Sequence, residues 1–330
     1  MNPFDYTAAR SIDAAVRALG GPGPPPKILA GGTTLVDLMR LNVEQPVSVL
    51  DITRIPGLNH IDTENREALV FGALARMSDV ADDPVVRRDY PVLSESLWRA
   101  ASQQLRNMAS LGGNLLQRSR CAYFRDRQYP CNKREPGSGC SALDGINRGH
   151  AVLGGSDACI AVYPGDWAVA LVALDGSIEV QSQSGTRTLK VADLHREPGN
   201  TPDLETTLRP DELILSIRVP RTPLAKASTY LKIRDRESYA FAIASAAVAL
   251  NMDGDIVREA RIALGGLATR PWRAKAAEQS LVGQRFSEAA AAQAGRIALL
   301  GAVTRPQNAF RVELGANTVA EALKIARGRA

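Results

Sequence analysis

All four cysteines of this 330-residue chain, Cys121, Cys131, Cys140 and Cys159, lie in one stretch, CAYFRDRQYPCNKREPGSGCSALDGINRGHAVLGGSDAC. Pro130, Pro136, Gly137 and Gly139 interrupt it, so it cannot run on as a helix or a strand and reads as an irregular loop. A loop that holds every thiol of the molecule needs something to fix its shape. Four thiolates complete a cubane iron-sulfur cluster, two disulfides would form in an oxidising compartment, and unreactive thiols would behave as small buried hydrophobes. The C-x9-C-x8-C-x18-C spacing matches neither the tight ferredoxin runs nor paired zinc knuckles. From the spacing alone, all three outcomes stay open.

A chain of this length exceeds what one hydrophobic core usually organises, so two or three domains are expected. Forty Lys and Arg against thirty-five Asp and Glu leave a net charge of +5, with the basic residues spread along the chain. That pattern gives no reason to expect a nucleic-acid partner. The local exception is Arg118, Arg120, Arg125, Arg127, Lys133 and Arg134 around the first cysteines, which suit an anionic cluster, a partner surface or a solvated loop. The opening MNPFDYTAARSIDAAV has neither an apolar core nor paired arginines, so no export signal is expected. No apolar run is long enough to span a membrane.

Patterning predicts a mixed, α+β fold. Ser11 caps a helix with Ile12, Ala15, Val16 and Leu19 on one face, and GGPGPPP ends it. Lys27 to Ala30, Val47 to Ile52 and Ala68 to Gly72 read as strands. Met77 to Ala81, capped by Ser78, Val92 to Ala101 and Trp167 to Ala173 read as helices, and Ala151 to Gly154 as a further apolar element. A hairpin is expected around Ser184 and Gly185, then a strand over Glu212 to Ile217. The RVPRTP segment suggests a linker. Beyond it, strands over 228–233, 242–252 and 256–265, with a tight turn at Asp253-Gly254-Asp255, precede helices over 274–281, 287–300 and 318–327.

Two glycine pairs carry the candidate binding chemistry. Gly31-Gly32-Thr33-Thr34 lies between a strand and a helix start, where backbone amides can approach a pyrophosphate and two hydroxyls can donate, unless it is only a turn. Ala109-Ser110-Leu111-Gly112-Gly113-Asn114 repeats the arrangement, and the two loops could converge on one dinucleotide. Neither is a G-x-G-x-x-G or Walker pattern. His60, His150 and His195 stand in no metal-binding pattern and read as surface or internally satisfied residues. No nucleophile motif of the G-x-S-x-G kind occurs, and no catalytic residue is assigned.

ILAGGTTL at 28–35, ASLGGN at 109–114 and YPGDWAVALVALDG at 163–176 resemble the flavin-contacting stretches of the FAD-binding subunits of molybdenum hydroxylases, the xanthine dehydrogenase and carbon monoxide dehydrogenase family. The likeness spans nearly the whole chain. The cysteine stretch and its flanks, including YFRD, PCNKREPGSGC and GINRGHAVLG, are similar to the aldehyde oxidoreductase branch, whose flavin subunit has an extra 4Fe-4S cluster.

The resemblance implies an FAD domain of the vanillyl-alcohol-oxidase (PCMH) type over 1–222, with an iron-sulfur insertion at about 115–160. A CO dehydrogenase flavoprotein C-terminal-like domain would follow over 223–330. It assigns Ile28, Leu29, Ala30, Gly31, Gly32, Thr33, Thr34 and Leu35, Ser110, Gly112, Gly113 and Asn114, Asp166, Lys232 and Tyr239 to FAD, and the four cysteines to the cluster. Asp166 has the alternative of a helix cap. The implied partners are a large molybdenum-cofactor subunit, a small subunit with 2Fe-2S clusters and an external electron acceptor. The compartment would be the periplasm, reached with a signal-bearing partner, or the cytoplasm. A stand-alone flavin oxidase, a hydroxybenzoyl-CoA reductase-like or xanthine dehydrogenase-like flavin subunit, and a non-enzymatic iron-sulfur scaffold or sensor are the alternatives.

Overall fold

The computed structural model describes residues 1–330. The chain opens with β1 (Asp5–Ala8), α1 (Ile12–Leu19), β2 (Lys27–Leu29), α2 (Leu35–Arg40) and β3 (Ser48–Asp51). β1 and β2 both pair in parallel with β3, giving a small sheet ordered β1-β3-β2. Ser11 accepts a hydrogen bond from the Ala14 amide and starts α1 as expected, and Ala15, Val16 and Leu19 bury against Leu50 and Ile52.

The second group runs β4 (Ile61–Asp62), β5 (Ala68–Gly72), α3 (Met77–Asp82), α4 (Pro84–Asp89), α5 (Pro91–Trp98), α6 (Gln103–Arg106), α7 (Leu111–Leu115) and α8 (Ala122–Arg125). After the cysteine loop come α9 (Trp167–Ala173), β6 (Ser177–Ser182), β7 (Gly185–Lys190), α10 (Val191–Leu194) and β8 (Leu213–Pro220). Five strands form an antiparallel sheet ordered β4-β5-β8-β6-β7. Ser78 does not cap α3: the helix starts one residue earlier, and the Ser78 hydroxyl donates to Asp79 instead. Ala151 to Gly154 makes only a single bridge, Leu153 to Ala268, and is no regular strand.

A 3-10 turn at Pro223–Ala225 leads into β9 (Ser228–Ile233), β10 (Ala244–Asp253), β11 (Ile256–Gly265), β12 (Trp272–Arg273), α11 (Lys275–Leu281), α12 (Glu288–Ala298) and α13 (Phe310–Arg327). The antiparallel sheet is ordered β12-β11-β10-β9, with α11, α12 and α13 packed on one face. α13 begins eight residues before the predicted start. Its buried Arg311 donates through Nη1 and Nη2 to the Arg148, Ile243 and Gly266 carbonyls, so backbone takes both ends of the guanidinium while Nε stays without a partner.

The largest core does not stop at the junction with this last sheet. Phe71, Leu93, Leu97, Trp167 and Leu171 share one buried cluster with Tyr230, Ala247, Ala249 and Ala263. The fully apolar α9 is buried on every face because it lies between the five-stranded layer and the four-stranded sheet.

Candidate flavin site

The two glycine loops meet. A Cβ on Gly31 would stand 1.9 Å from the Met108 carbonyl oxygen, so only glycine permits the first loop to lie against the second. Gly32 adopts φ +73, the left-handed turn that lets the chain leave β2 and enter α2. Thr34 occupies the position before α2 without capping it, so its hydroxyl is not committed to the helix.

The second loop is the start of α7. Ser110 accepts from the Gly113 amide, and the loop is bound to the turn after β5 by the hydrogen bonds Met77 N to Ala109 O, Leu111 N to Ala75 O and Gly112 N to Ala73 O. Asn114 donates to the Met77 sulfur, and its buried Oδ1 has no partner. An orphaned acceptor beside two backbone-rich loops is what an incoming donor group would satisfy.

The last sheet contributes an exposed aromatic edge. Tyr239, 60 % exposed, has φ +54, unusual for a bulky residue. The turn is held by its amide donating to Ala101 O and by Arg236 Nε donating to its carbonyl. Phe241, 47 % exposed, packs under the Arg120 guanidinium at 5.0 Å, and Tyr239 is close enough to act on the charge of Arg120. Arg120 in turn pairs with Asp37 of α2. The sequence marks Arg120 only as one of the basic residues around the first cysteines, and marks neither Phe241, two residues after Tyr239, nor the Ala73–Met77 turn as part of this site.

Asp166 and Lys232 are brought to each other. Lys232 Nζ donates to Asp166 Oδ2 at 2.8 Å and to the Arg99 carbonyl at 3.0 Å, and the Tyr230 hydroxyl donates to Asp166 Oδ1 at 2.7 Å. The side chains are 1 % and 5 % exposed. Asp166 therefore makes no helix-cap bond. Burial raises the Tyr230 hydroxyl pKa, with Asp166 adding, so the phenol remains a donor.

The cysteines are free thiols. Cys131 and Cys140 pair across an antiparallel bridge, and Cys121 lies 3.2 Å from His150 Nε2. No three His, Cys, Asp or Glu side chains converge as they would on one metal ion. The donors nevertheless suit a larger anionic group. Burial pushes the Cys121 thiol up to about 12, with Cys131 and Cys159 adding to it, and pushes Cys159 up to about 11 against the lowering pull of Lys133. Beside them, Arg120 Nε, Arg125 Nη1 and His150 Nδ1 are buried without partners. A four-thiolate cluster with net negative charge would take up the four thiols and give Arg120 Nε and Arg125 Nη1 an anionic partner. His60 bonds the Gly57 carbonyl at the surface, and His195 bonds the Leu115 carbonyl inside.

The two glycine loops thus lie edge to edge, and an aromatic turn from the second sheet reaches the helix after the first of them through Arg120 and Asp37, an arrangement with room for a dinucleotide. Residues 2–222 match the family described as FAD binding domain in molybdopterin dehydrogenase, and residues 229–326 match the CO dehydrogenase flavoprotein C-terminal domain. The chain belongs to the FAD-binding subunits of the molybdenum hydroxylase family, of the CO dehydrogenase medium-chain type.

It is 44 % identical over 332 aligned positions to the aldehyde oxidoreductase FAD-binding subunit of Escherichia coli (strain K12), covering 100 % of both chains. It is 26 % identical to the carbon monoxide dehydrogenase medium chain of Hydrogenophaga pseudoflava, covering 93 % of this chain and 89 % of that one. A solved carbon monoxide dehydrogenase from the same organism superposes with a TM-score of 0.78 at 26 % identity, covering 100 % of this chain and 99 % of the other. No helix is long and apolar enough to cross a membrane.

Proposed function

We propose that this chain is the electron outlet of a molybdenum-dependent aldehyde oxidoreductase. It would take electrons from the 2Fe-2S clusters of a small partner subunit and pass them to an external acceptor, while a large molybdenum-cofactor subunit oxidises the aldehyde. The observation that carries this reading is the contact of the Gly31 loop with the Met108–Ala109 backbone, in a chain alike over its whole length to an aldehyde oxidoreductase flavin subunit.

Residues 28–35 would hold the FAD phosphates through amides and hydroxyls, Ser110, Gly112, Gly113 and Asn114 would add phosphate or flavin contacts from the second loop, Asn114 through its open Oδ1 to a donor of the flavin, and Tyr239 would lie against the ring. Asp166 and Lys232, already paired, would serve the site as its buried support. FAD supplies an exchange between single-electron donors and acceptors that take electrons singly or in pairs. Cys121, Cys131, Cys140 and Cys159 would bind a 4Fe-4S cluster in an insertion at about 115–160. This reading divides the chain into an FAD-binding part, 1–222, and a C-terminal part, 223–330. The complex would be a heterotrimer, exported to the periplasm with a signal-bearing partner.

The test is to purify the native complex, count FAD, iron and molybdenum per chain, and add an aldehyde without an acceptor. Bleaching of the flavin is expected, together with about four iron atoms beyond those of the small subunit. Flavin that stays oxidised while the molybdenum site turns over would sink the assignment as outlet.

A further inference from the structure

The cysteine loop is fastened to the helix that follows the first glycine loop. Asp37 of α2 accepts from Arg120 Nη1 at 3.2 Å and Arg125 Nη2 at 2.8 Å, and these two arginines flank Cys121. The next residue, Leu38, is buried with Phe124 and Cys131 in a small core that Cys121 and Val43 join. Just beyond α2, Glu44 pairs with Arg118 of the cysteine loop and, at 3.3 Å, with Lys27, the first residue of β2. The unit formed by β2, the Gly31–Thr34 turn and α2 is thus gripped from two sides. Gly31 presses on Met108 in front, and the cysteine loop packs behind.

α2 has six residues, too few to hold a fixed pose by its own hydrogen bonds. Its position follows from what it packs on. Half of the thiols, Cys121 and Cys131, belong to that packing. A cluster on the cysteines would pin Cys121 and Cys131, and through the shared core and the two arginines it would restrain Leu38 and Asp37 as well.

We propose that α2, through Asp37 and Leu38 as positioning residues, couples cluster assembly to FAD binding, so that each cofactor raises the affinity for the other. This rests on the reading above, in which FAD lies on the glycine loops and a cluster on the cysteines. Linkage makes the effect reciprocal: if iron tightens FAD, then FAD must tighten iron by the same factor.

The experiment titrates FAD into the flavin-depleted native complex, iron-loaded or with the loop iron removed by oxidation and a chelator, and follows flavin fluorescence. It is done for the wild type, Asp37→Asn, Asp37→Glu and Leu38→Ala. Iron removal is expected to weaken FAD about tenfold in the wild type and less than about threefold in Asp37→Asn and Leu38→Ala, with Asp37→Glu restoring most of the difference. The chelator should also strip loop iron faster from the FAD-depleted wild type than from the FAD-loaded form.

An FAD affinity indifferent to iron in the wild type overturns the coupling. Wild-type coupling retained in both Asp37→Asn and Leu38→Ala overturns the route through α2. A preparation that binds no FAD, or no loop iron, removes the underlying reading instead, and cofactor counting on the starting complex identifies that case.

Discussion

Gly31 shows how one missing methyl group sets a binding site. Its α-carbon lies where any side chain would collide with backbone rather than with a flexible group, so Gly31→Ala must push the two loops apart. We expect a loss of about 1–3 kcal/mol in stability and a folded complex that is purified with little FAD, read as flavin absorbance per chain. Normal flavin content would show that the loop contact is not needed. The glycine pairs were legible from sequence because backbone approach demands glycine whatever the fold. No residue pattern marks Tyr239, which the family resemblance alone assigns to the flavin; its left-handed backbone goes with hydrogen bonds to Ala101, far away in sequence, and from Arg236. In the sequence Asp166 reads as a cofactor contact or a cap. The lysine and tyrosine that take both its oxygens are 66 and 64 residues away, beyond any local pattern.

Among elements, periodicity located what it could. β5, α9 and the β6–β7 hairpin appear where alternation or apolar runs placed them. β1 was missed because all four of its residues are at least partly exposed, leaving no buried face to read. α7 reads as a loop in the sequence because two glycines sit inside it. Its end is tied to the segment after α10 by His195, whose Nε2 donates to the Leu115 carbonyl at 2.8 Å. Burial lowers the His195 pKa to about 4, so the ring is neutral in the fold while the unfolded chain takes up a proton near pH 6.5. Stability contributed here is complete above about pH 6.5 and falls as the pH drops towards 4, by up to about 1.4 kcal/mol per pH unit. In denaturant titrations across that range, His195→Gln should flatten the slope. An unchanged slope would mean that this latch does not titrate as its burial requires.

At the scale of the molecule, the five-stranded layer and the four-stranded sheet are joined by a continuous core with one ion pair set into it. Lys232→Met would leave the Asp166 carboxylate buried with Tyr230 as its remaining partner, and should cost about 3–5 kcal/mol. Asp166→Asn combined with Lys232→Met should recover much of that loss, because no charge then stays buried. Both are read as shifts in the denaturation midpoint, and a neutral Lys232→Met would show that the pair contributes nothing to joining the layers. That α9 would lie inside this joint could not be read from its sequence, since an all-apolar helix says that it is covered but not by what.

The same helix begins with Trp167, which is fully buried and meets Phe71 edge-on at 6.0 Å, whereas Trp98 and Trp272 retain access to solvent. The joint therefore carries its own optical reporter. With Trp98 and Trp272 replaced by phenylalanine, the emission colour of the remaining indole would follow the coming apart of the two layers, with no dye and no label on either face.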